Sequence, residues 1–192
     1  MCSSTATATG APSLIDDMED GDSSILANDS RVGGWFLSAD GSRTSTPSEN
    51  APPLPVAGGP TGQYIHVMGS GYMSWGASLS VAIVTVGGCY DASAHVGIKF
   101  SYKSSSKLYV SALTAGVAAA PEGQRNHWKK EIPAAADWTE ATITWAELSQ
   151  LGAWGAVVAW DATKIYGFDF SPDSAVKPIS YDVSIDNLSF TP

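Results

Sequence analysis

The residues best suited to bind a hard cation are acidic and lie near the two ends of the sequence. Asp17 and Glu19 stand two positions apart in the segment 14–19, and Asp186 lies in an apolar segment near the other end. Residues two positions apart in a strand point to one face, so these two carboxylates can converge with a third from a neighbouring strand. If the first and last strands pair, Asp186 supplies that third carboxylate. The alternative is a set of solvated acids and one turn aspartate.

The elements that must position these residues are strands, because apolar residues alternate with small or polar ones in segment after segment. The clearest segments are 75–83, 96–102, 108–112, 141–145, 166–170 and 181–185. The alternation shifts at Asp186 and Asn187, which indicates a bulge that would turn the aspartate toward a cation. Strands at this spacing, without a sustained helical period, predict an all-β fold, a β-sandwich jelly roll of two antiparallel sheets.

Composition excludes several classes of function. The 192 residues are enough for one domain with its own core. A net charge of −9 leaves no basic patch for phosphates, so neither nucleic acid nor an anionic membrane is expected as a partner. No stretch approaches the roughly 20 apolar residues that span a bilayer. The low charged fraction and the many β-branched, aromatic and small residues are typical of a secreted β-rich module.

The first residues resemble an attachment segment. Residues 1–4, followed by alternating Thr and Ala, look like the mature start of a bacterial lipoprotein in which Cys2 carries lipid. We therefore expect residues 1–13 to be a flexible tether and residues 14–192 to form the domain. An arbitrary start of the sequence explains the same residues equally well. A disulfide between Cys2 and Cys89 is an option without support, and Cys89 is most simply a small buried apolar residue.

Several short motifs occur along the chain in a fixed order, namely Ile15–Glu19, Trp75–Gly76, Tyr90–Ser93, Gly97–Phe100, His127–Trp128, Asp137–Thr139 and Ile185–Leu188. Each motif is weak alone, but their order and spacing resemble those of family 11 carbohydrate-binding modules and their galactose-binding-like relatives. The resemblance covers about residues 14–190. It implies a calcium-stabilised jelly roll that binds β-glucan chains in a concave cleft without catalysis. It also implies that Asp17, Glu19 and Asp186, completed by backbone carbonyls, bind a structural Ca²⁺.

The sequence departs from that family where the glycan would bind. The relatives place tyrosines on the cleft strands where this sequence has Ser38 and Ser74, and Gln124 stands near an aspartate position. The ligand is therefore predicted only as a polysaccharide, either β-glucan-like or another plant or microbial glycan.

Aromatic and planar polar residues supply what sugar recognition requires, a flat apolar surface for the pyranose ring and groups that read its hydroxyls. Seven tryptophans are more than a core of this size needs. Trp75 and Trp145 have the alternation of core residues, whereas Trp35, Tyr72 and Trp154 lie among Gly and Ser in loops or at strand ends. The predicted carbohydrate contacts are Trp35, Tyr72, Gln124, His127, Gln150 and Trp154. Packing or loop anchoring is the alternative role for each of them.

Catalysis is not expected. A glycosidase needs two carboxylates across a cleft, and no such pair is visible among the acidic candidates Glu122, Glu131, Glu140, Glu147, Asp161 and Asp169. The three histidines form no metal-ligand cluster, and the sequence has no Gly-x-Ser-x-Gly nucleophile motif.

These observations together predict a monomeric, non-catalytic polysaccharide-binding domain that acts outside the cytoplasm, at the cell surface or as an outer-membrane lipoprotein. A structural or adhesive surface module that binds protein is the first alternative, and a glycan-active hydrolase or lyase is the second. A groove with two or more exposed aromatic residues spaced like sugar rings favours glycan binding, whereas a flat face of small residues favours adhesion.

Overall fold

The computed structural model describes residues 2–7, 13–42, 45–46 and 51–192, and most of their regular structure is β-strand. The strands are β1 Ser4–Thr7, β2 Leu14–Asp16, β3 Gly34–Ala39, β4 Ser45–Thr46, β5 Val56–Ala57, β6 Gln63–Tyr72, β7 Ala77–Ala82, β8 Gly88–Asp91, β9 Gly97–Ser104, β10 Leu108–Thr114, β11 Trp128–Ile132, β12 Ala135–Thr144, β13 Ile165–Pro172 and β14 Ile179–Thr191. Short helical segments are α1 Ala115–Ala118 and the 3₁₀ turns Glu122–Gln124, Trp145–Glu147 and Ala162–Lys164. No helix in this part of the chain has the length and apolar character needed to cross a membrane.

The strands form a sandwich of two sheets, as the alternation predicts. The front sheet has the order β3-β7-β13-β10-β11, and β8 with β1 extends it beside β13. The back sheet has the order β12-β9-β14-β6, with β2 beside β14 and with β4 and β5 beside β6. Neighbouring strands are antiparallel, apart from the parallel contact of β1 with β8. The prediction of an all-β jelly-roll sandwich is confirmed.

Alternation along each strand places one set of side chains between the sheets and the other set on the outside. On β7 and β13, Leu79, Val81, Phe168 and Phe170 are fully buried. The ring of Phe170 packs edge-on against that of Phe100 from the back sheet, with centroids 5.1 Å apart. Burying each such side chain stabilises the fold by about 1.5–3 kcal/mol. Small and polar residues of the same strands are left facing outward.

Tyr181 of the back sheet joins two strands of the front sheet. Its hydroxyl accepts a hydrogen bond from the backbone N–H of Leu79 at 2.6 Å and donates one to the carbonyl oxygen of Phe170 at 2.7 Å. Leu79 and Phe170 are a cross-strand pair of β7 and β13. The buried hydroxyl therefore satisfies one backbone donor and one backbone acceptor of the front sheet from the opposite side of the core.

Residues 2–7 depart from the expected flexible tether. Ser4–Thr7 pairs with β8, and Cys2 forms a disulfide with Cys89, with their Cα atoms 5.5 Å apart. Cys89 is thus buried as half of a disulfide and not as a free thiol. Because a lipid thioether would need the same Cys2 sulfur, the disulfide and lipidation of Cys2 exclude each other. Residues 1 and 8–12 of the expected tether lie outside the described residues.

Candidate functional site

The outer face of the front sheet carries a cleft of about 840 Å³. Its floor is formed by small or short side chains on the two central strands, namely Ser78 and Ser80 of β7 with Asp169 and Ser171 of β13. Two strands side by side make this floor about 10 Å wide. The alternation that buries Leu79 and Phe170 inward is what points these residues into the cleft.

Aromatic side chains form the walls of the cleft. On one side stand Phe36 and Trp75, which are 41% and 46% exposed. On the other side stand Tyr109 of β10 and Trp154, which is 52% exposed. A floor of small residues between exposed rings is a shape that accepts a flat, elongated ligand. The described residues therefore form a groove with exposed aromatic side chains on both sides.

Tyr166 enters the cleft because of a register shift. The pairing of β10 with β13 changes between Leu113 and Thr114, opposite Gly167 and Ile165. The extra residue at this bulge turns Tyr166 to the outer face, where it lines the end of the cleft. Sequence alternation alone would place Tyr166 inside with Phe168, and only the pairing partner reveals the bulge.

One row of residues crosses the cleft from wall to wall. Cross-strand neighbours in this row are Phe36, Ser80, Asp169, Ser111 and Lys129, on β3, β7, β13, β10 and β11. Ser80 donates a hydrogen bond to the Asp169 carboxylate at 2.6 Å. Burial raises the pKa of Asp169, although hydrogen bonds from the neighbouring serines oppose the rise. Asp169 is the central acceptor on the floor.

The β11 wall of the cleft carries basic residues. Lys129, His127 and Arg125 all line the cleft on this side. Burial, with repulsion from Lys129 and Arg125, lowers the pKa of His127 to about 4. His127 is therefore a neutral imidazole near pH 7, and its buried Nδ1 has no hydrogen-bond partner among the described residues.

Two of the predicted carbohydrate contacts are wrong, because Trp35 and Tyr72 are core residues. Trp35 is 2% exposed, and its indole N–H donates to the buried Asp16 carboxylate at 2.6 Å. Tyr72 is fully buried at the end of β6. Trp35 alternates with Phe36 on β3, so its inward direction agrees with that of Leu37 two positions on.

Gln150 also differs from its predicted role. Its amide nitrogen donates to the carbonyls of Asn126 and Ala156, at 2.6 and 2.9 Å. Its amide oxygen accepts from the backbone N–H of Val158 at 2.9 Å. With these bonds Gln150 holds the loop that carries Trp154, so it positions the wall and does not face a ligand.

Of the other predicted contacts, Trp154 and His127 line the cleft, while Gln124 is exposed beside Arg125 and outside the lining residues. The sequence prediction missed Trp75, which it assigned to the core. Gly76, at φ +99, separates Trp75 from β7 and breaks the alternation on which that assignment rested. A glycine directly before an apolar alternating run is the signal that could have revealed it.

The terminal strands are neighbours, as the cation hypothesis requires. β14 pairs with β2, with Leu188 opposite Asp16, and the predicted bulge lies between Asp186 and Ser189. Asp186 is fully buried and its Oδ1 has no partner among the described residues. Burial raises the pKa of Asp186, and the charge of Glu19 adds to the rise. Glu19 and Asp186 therefore lie close enough to interact.

A glycine-containing loop closes over these two carboxylates. A Cβ at Gly62 would lie 2.5 Å from a Glu19 oxygen, and one at Gly59 would lie 2.8 Å from Asp186 Oδ2. The backbone N–H of Gln63 donates to Glu19 Oε1 at 2.8 Å. The carboxylate oxygens of Glu19 and Asp186 face closely approaching backbone, and one buried oxygen of Asp186 has no hydrogen-bond partner among the described residues. Together these oxygens form a donor set that fits a hard cation. No cluster of three acidic, His or Cys ligands exists among the described residues, so carbonyl or hydroxyl oxygens would have to complete the shell.

Asp17 does not follow the strand geometry expected of it. β2 ends at Asp16, and Met18 has φ 61. Asp17 and Glu19 therefore do not lie in a strand, and their side chains do not share a strand face. Asp17 Oδ1 instead accepts a hydrogen bond from the Glu19 amide at 3.3 Å. The structure thus brings Glu19 and Asp186 together and gives Asp17 a local turn contact.

Acidic residues in the cleft are Asp169 and Asp173. Asp173 forms an ion pair with Lys107 at 3.1 Å, whereas Asp169 is held by serines. Among the sequence candidates for catalysis, Asp169 is the one that lines the cleft; Glu131, Glu140, Glu147 and Asp161 form ion pairs with lysines elsewhere on the surface.

Solved structures of carbohydrate-binding modules share this fold. One is the family 11 module of the cellulosomal cellulase Lic26A-Cel5E of Clostridium thermocellum, with a TM-score of 0.59 and 16% identity over 93% of this chain and 92% of that chain. Another is a family 11 module from Clostridium thermocellum in complex with a β-1,3-1,4-mixed-linked tetrasaccharide, with a TM-score of 0.58 and 16% identity over 93% and 94%. No family model and no curated protein matches the chain. The resemblance to family 11 modules is thus confirmed in the fold.

Proposed function

We propose that this domain binds a polysaccharide in the front-sheet cleft without acting on it chemically. The observation that carries the proposal is the small-residue floor between exposed aromatic walls, with Asp169 at its centre. Rings of Trp75 and Trp154 would support pyranose faces. Asp169 would accept hydrogen bonds from sugar hydroxyls, and so would the Ser80 oxygen, whose proton is donated to Asp169. The bound tetrasaccharide of the similar family 11 module supports this choice of ligand class.

Affinity gel electrophoresis on soluble β-glucans, xylans and mannans tests the proposal. Trp154→Ala and Trp75→Ala should each weaken binding about tenfold, because an exposed ring that stacks on a sugar is lost. Trp138→Ala is the matched control, since Trp138 lies on β12 of the back sheet and packs against Tyr64. Normal retention of both cleft variants, or no retention of the unchanged domain on any polymer, neutral or acidic, contradicts the proposal.

Binding without hydrolysis is the second part of the proposal. It is supported by the ion pair of Asp173 with Lys107, because no other described residue that lines the cleft then offers Asp169 a free carboxylate partner. Incubation with each retained polymer should release no new reducing ends or unsaturated products. Product release that disappears in Asp169→Asn while binding persists would instead identify an enzyme.

We also propose a structural Ca²⁺ held by Glu19 and Asp186 beneath the loop 58–63. The unpartnered Asp186 Oδ1 and the close approach of Gly59 and Gly62 support this site. A bound cation would neutralise two adjacent carboxylates and fasten β2 to β14. Asp17 would bind this cation only if its turn rearranged.

The proposed setting is extracellular or at the cell surface, and the proposed state is a monomer. The Cys2–Cys89 disulfide supports an oxidising compartment, where such bonds persist. Attachment through a lipid on Cys2 is not part of this proposal, because the disulfide occupies that sulfur.

A further inference from the structure

Two cationic side chains at the β11 wall of the cleft have no ion-pair partner among the described residues. Lys129 is half-buried, and its Nζ lies 5.6 Å from the ring centroids of both Tyr109 and Trp154. Arg125 is exposed, and its Nε donates to the carbonyl of Ala120 at 3.1 Å. Lysines that do have a carboxylate oxygen within 3.6 Å are Lys99, Lys107, Lys130 and Lys164.

Neither acidic residue that lines the cleft forms an ion pair with this wall. Asp173 is already paired with Lys107 at 3.1 Å. Asp169 lies in the same cross-strand row as Lys129 but two strands away, which separates their backbones by about 10 Å. The hydrogen bond from Ser80 holds the Asp169 carboxylate toward the other side of the floor. The wall is therefore locally positive in a chain whose net charge is −9.

Burial makes this positive charge unfavourable without a counter-ion. The pKa of Lys129 is lowered by burial, and attraction to Asp169 opposes the shift. The two rings beside its Nζ compensate only part of the lost hydration. A neutral sugar ring placed against this wall would remove more water from Lys129 without offering a negative charge.

We infer that the polysaccharide in the cleft is acidic, and that Lys129 and Arg125 bind a carboxylate carried by one of its sugar rings. This inference rests on the proposed function and narrows its ligand to uronic-acid-containing glycans. A ring on the floor above Asp169 and Ser111 would point a carboxylate toward Lys129, and the Arg125 guanidinium supplies a planar pair of donors that matches a carboxylate. In this partly desolvated cleft the ion pair is screened less than one on open surface.

The test compares glucuronoxylan, polygalacturonate and alginate with the same polymers after chemical reduction of their carboxyl groups. At least one acidic form should bind ten or more times tighter than its reduced form at low salt, and raising NaCl should reduce that difference without abolishing it. Lys129→Met should abolish the preference for the acidic form. Arg125→Gln, at an exposed position that leaves packing unchanged, should reduce the preference.

Lys164→Met is the matched control, because Lys164 is paired with Asp161 at 3.0 Å and lies outside the cleft lining. It should retain the full preference for the acidic polymer. The inference is overturned if the unchanged domain binds acidic and reduced forms equally. It is also overturned if Lys129→Met and Arg125→Gln lose affinity for both forms to the same extent. Either outcome leaves the proposed function intact. Failure of every acidic and neutral polymer to bind overturns the proposed function itself.

Discussion

At the scale of single residues, the front-sheet cleft is defined by side chains whose protonation depends on their neighbours. His127 is kept neutral by burial and by the cations Lys129 and Arg125, while burial makes Asp169 a weaker acid than usual. A neutral imidazole can donate at one nitrogen and accept at the other, and a carboxylate on the floor accepts only. The cleft therefore presents both kinds of hydrogen-bonding group to hydroxyls.

His127 makes domain stability depend on pH in a defined direction. Its pKa is about 4 in the fold and near 6.5 when unfolded, so the unfolded chain binds an extra proton between these values. Its contribution is complete above pH 6.5 and is lost as the pH falls toward 4, by at most about 3 kcal/mol before solvent screening is considered. His127→Gln should reduce the dependence of the free energy of unfolding on pH over this range. If urea titrations give the two proteins the same pH dependence of this free energy, His127 is not its origin.

At the scale of elements, alternation predicted the strands well because each strand has one buried face. Trp35 and Trp75 show where it stopped being sufficient, since the first lies inside a strand that looked like a loop and the second lies just before a glycine at φ +99. Whether the side chains of Trp35 and Trp75 point inward or outward depends on where β3 and β7 begin. The types of the neighbouring residues do not determine where a strand begins, whereas its pairing register with the next strand does.

For a similar reason, the geometry around the proposed cation site was predicted only in part. Pairing of the terminal strands and the bulge at Asp186 followed from the motifs, and both are present. The contribution of Asp17 did not follow, because Met18 adopts φ 61 and ends the strand geometry. The disulfide also escaped prediction, since two cysteines 87 residues apart reveal their proximity only in the fold.

The N-terminal strand provides a prediction at this scale. Cys2→Ser should lower the stability by about 2–4 kcal/mol, because the disulfide no longer restricts the unfolded chain. For a domain of this size that corresponds to a fall in melting temperature on the order of 10 °C. Cys2 is the better position to change, since Cys89 is 2% exposed and its replacement also alters packing.

Reduced wild-type protein is the control for that variant. Thermal melts of the reduced wild type and of Cys2→Ser should coincide, and both should lie below the oxidised protein. A melting temperature that is insensitive to reductant would show that the disulfide does not stabilise the domain.

At the scale of the whole molecule, the net charge of −9 means that a bound cation acts on a chain that repels itself. The proposed Ca²⁺ predicts a lower melting temperature in chelator than in excess calcium. A site filled at a hundred times its dissociation constant adds about 2.7 kcal/mol to the free energy of unfolding. Identical melts in the two buffers would contradict the site.

Asp186→Asn separates the cation from other causes. Because burial disfavours the charged form of Asp186, the amide should stabilise the calcium-free domain while removing its response to calcium. Asp182→Asn is the matched control on the same strand, where the carboxylate pairs with His66 at 3.0 Å on the surface. That control should keep the full calcium response.

The Tyr181 hydroxyl also determines how the domain would respond to mechanical force. Shear applied along β7 and β13 would act on two backbones that are tied at Leu79 and Phe170 by this phenol from the other sheet. Sliding of those strands would have to break bonds anchored across the core. A shear force on the front sheet would therefore be shared with the back sheet through this hydroxyl.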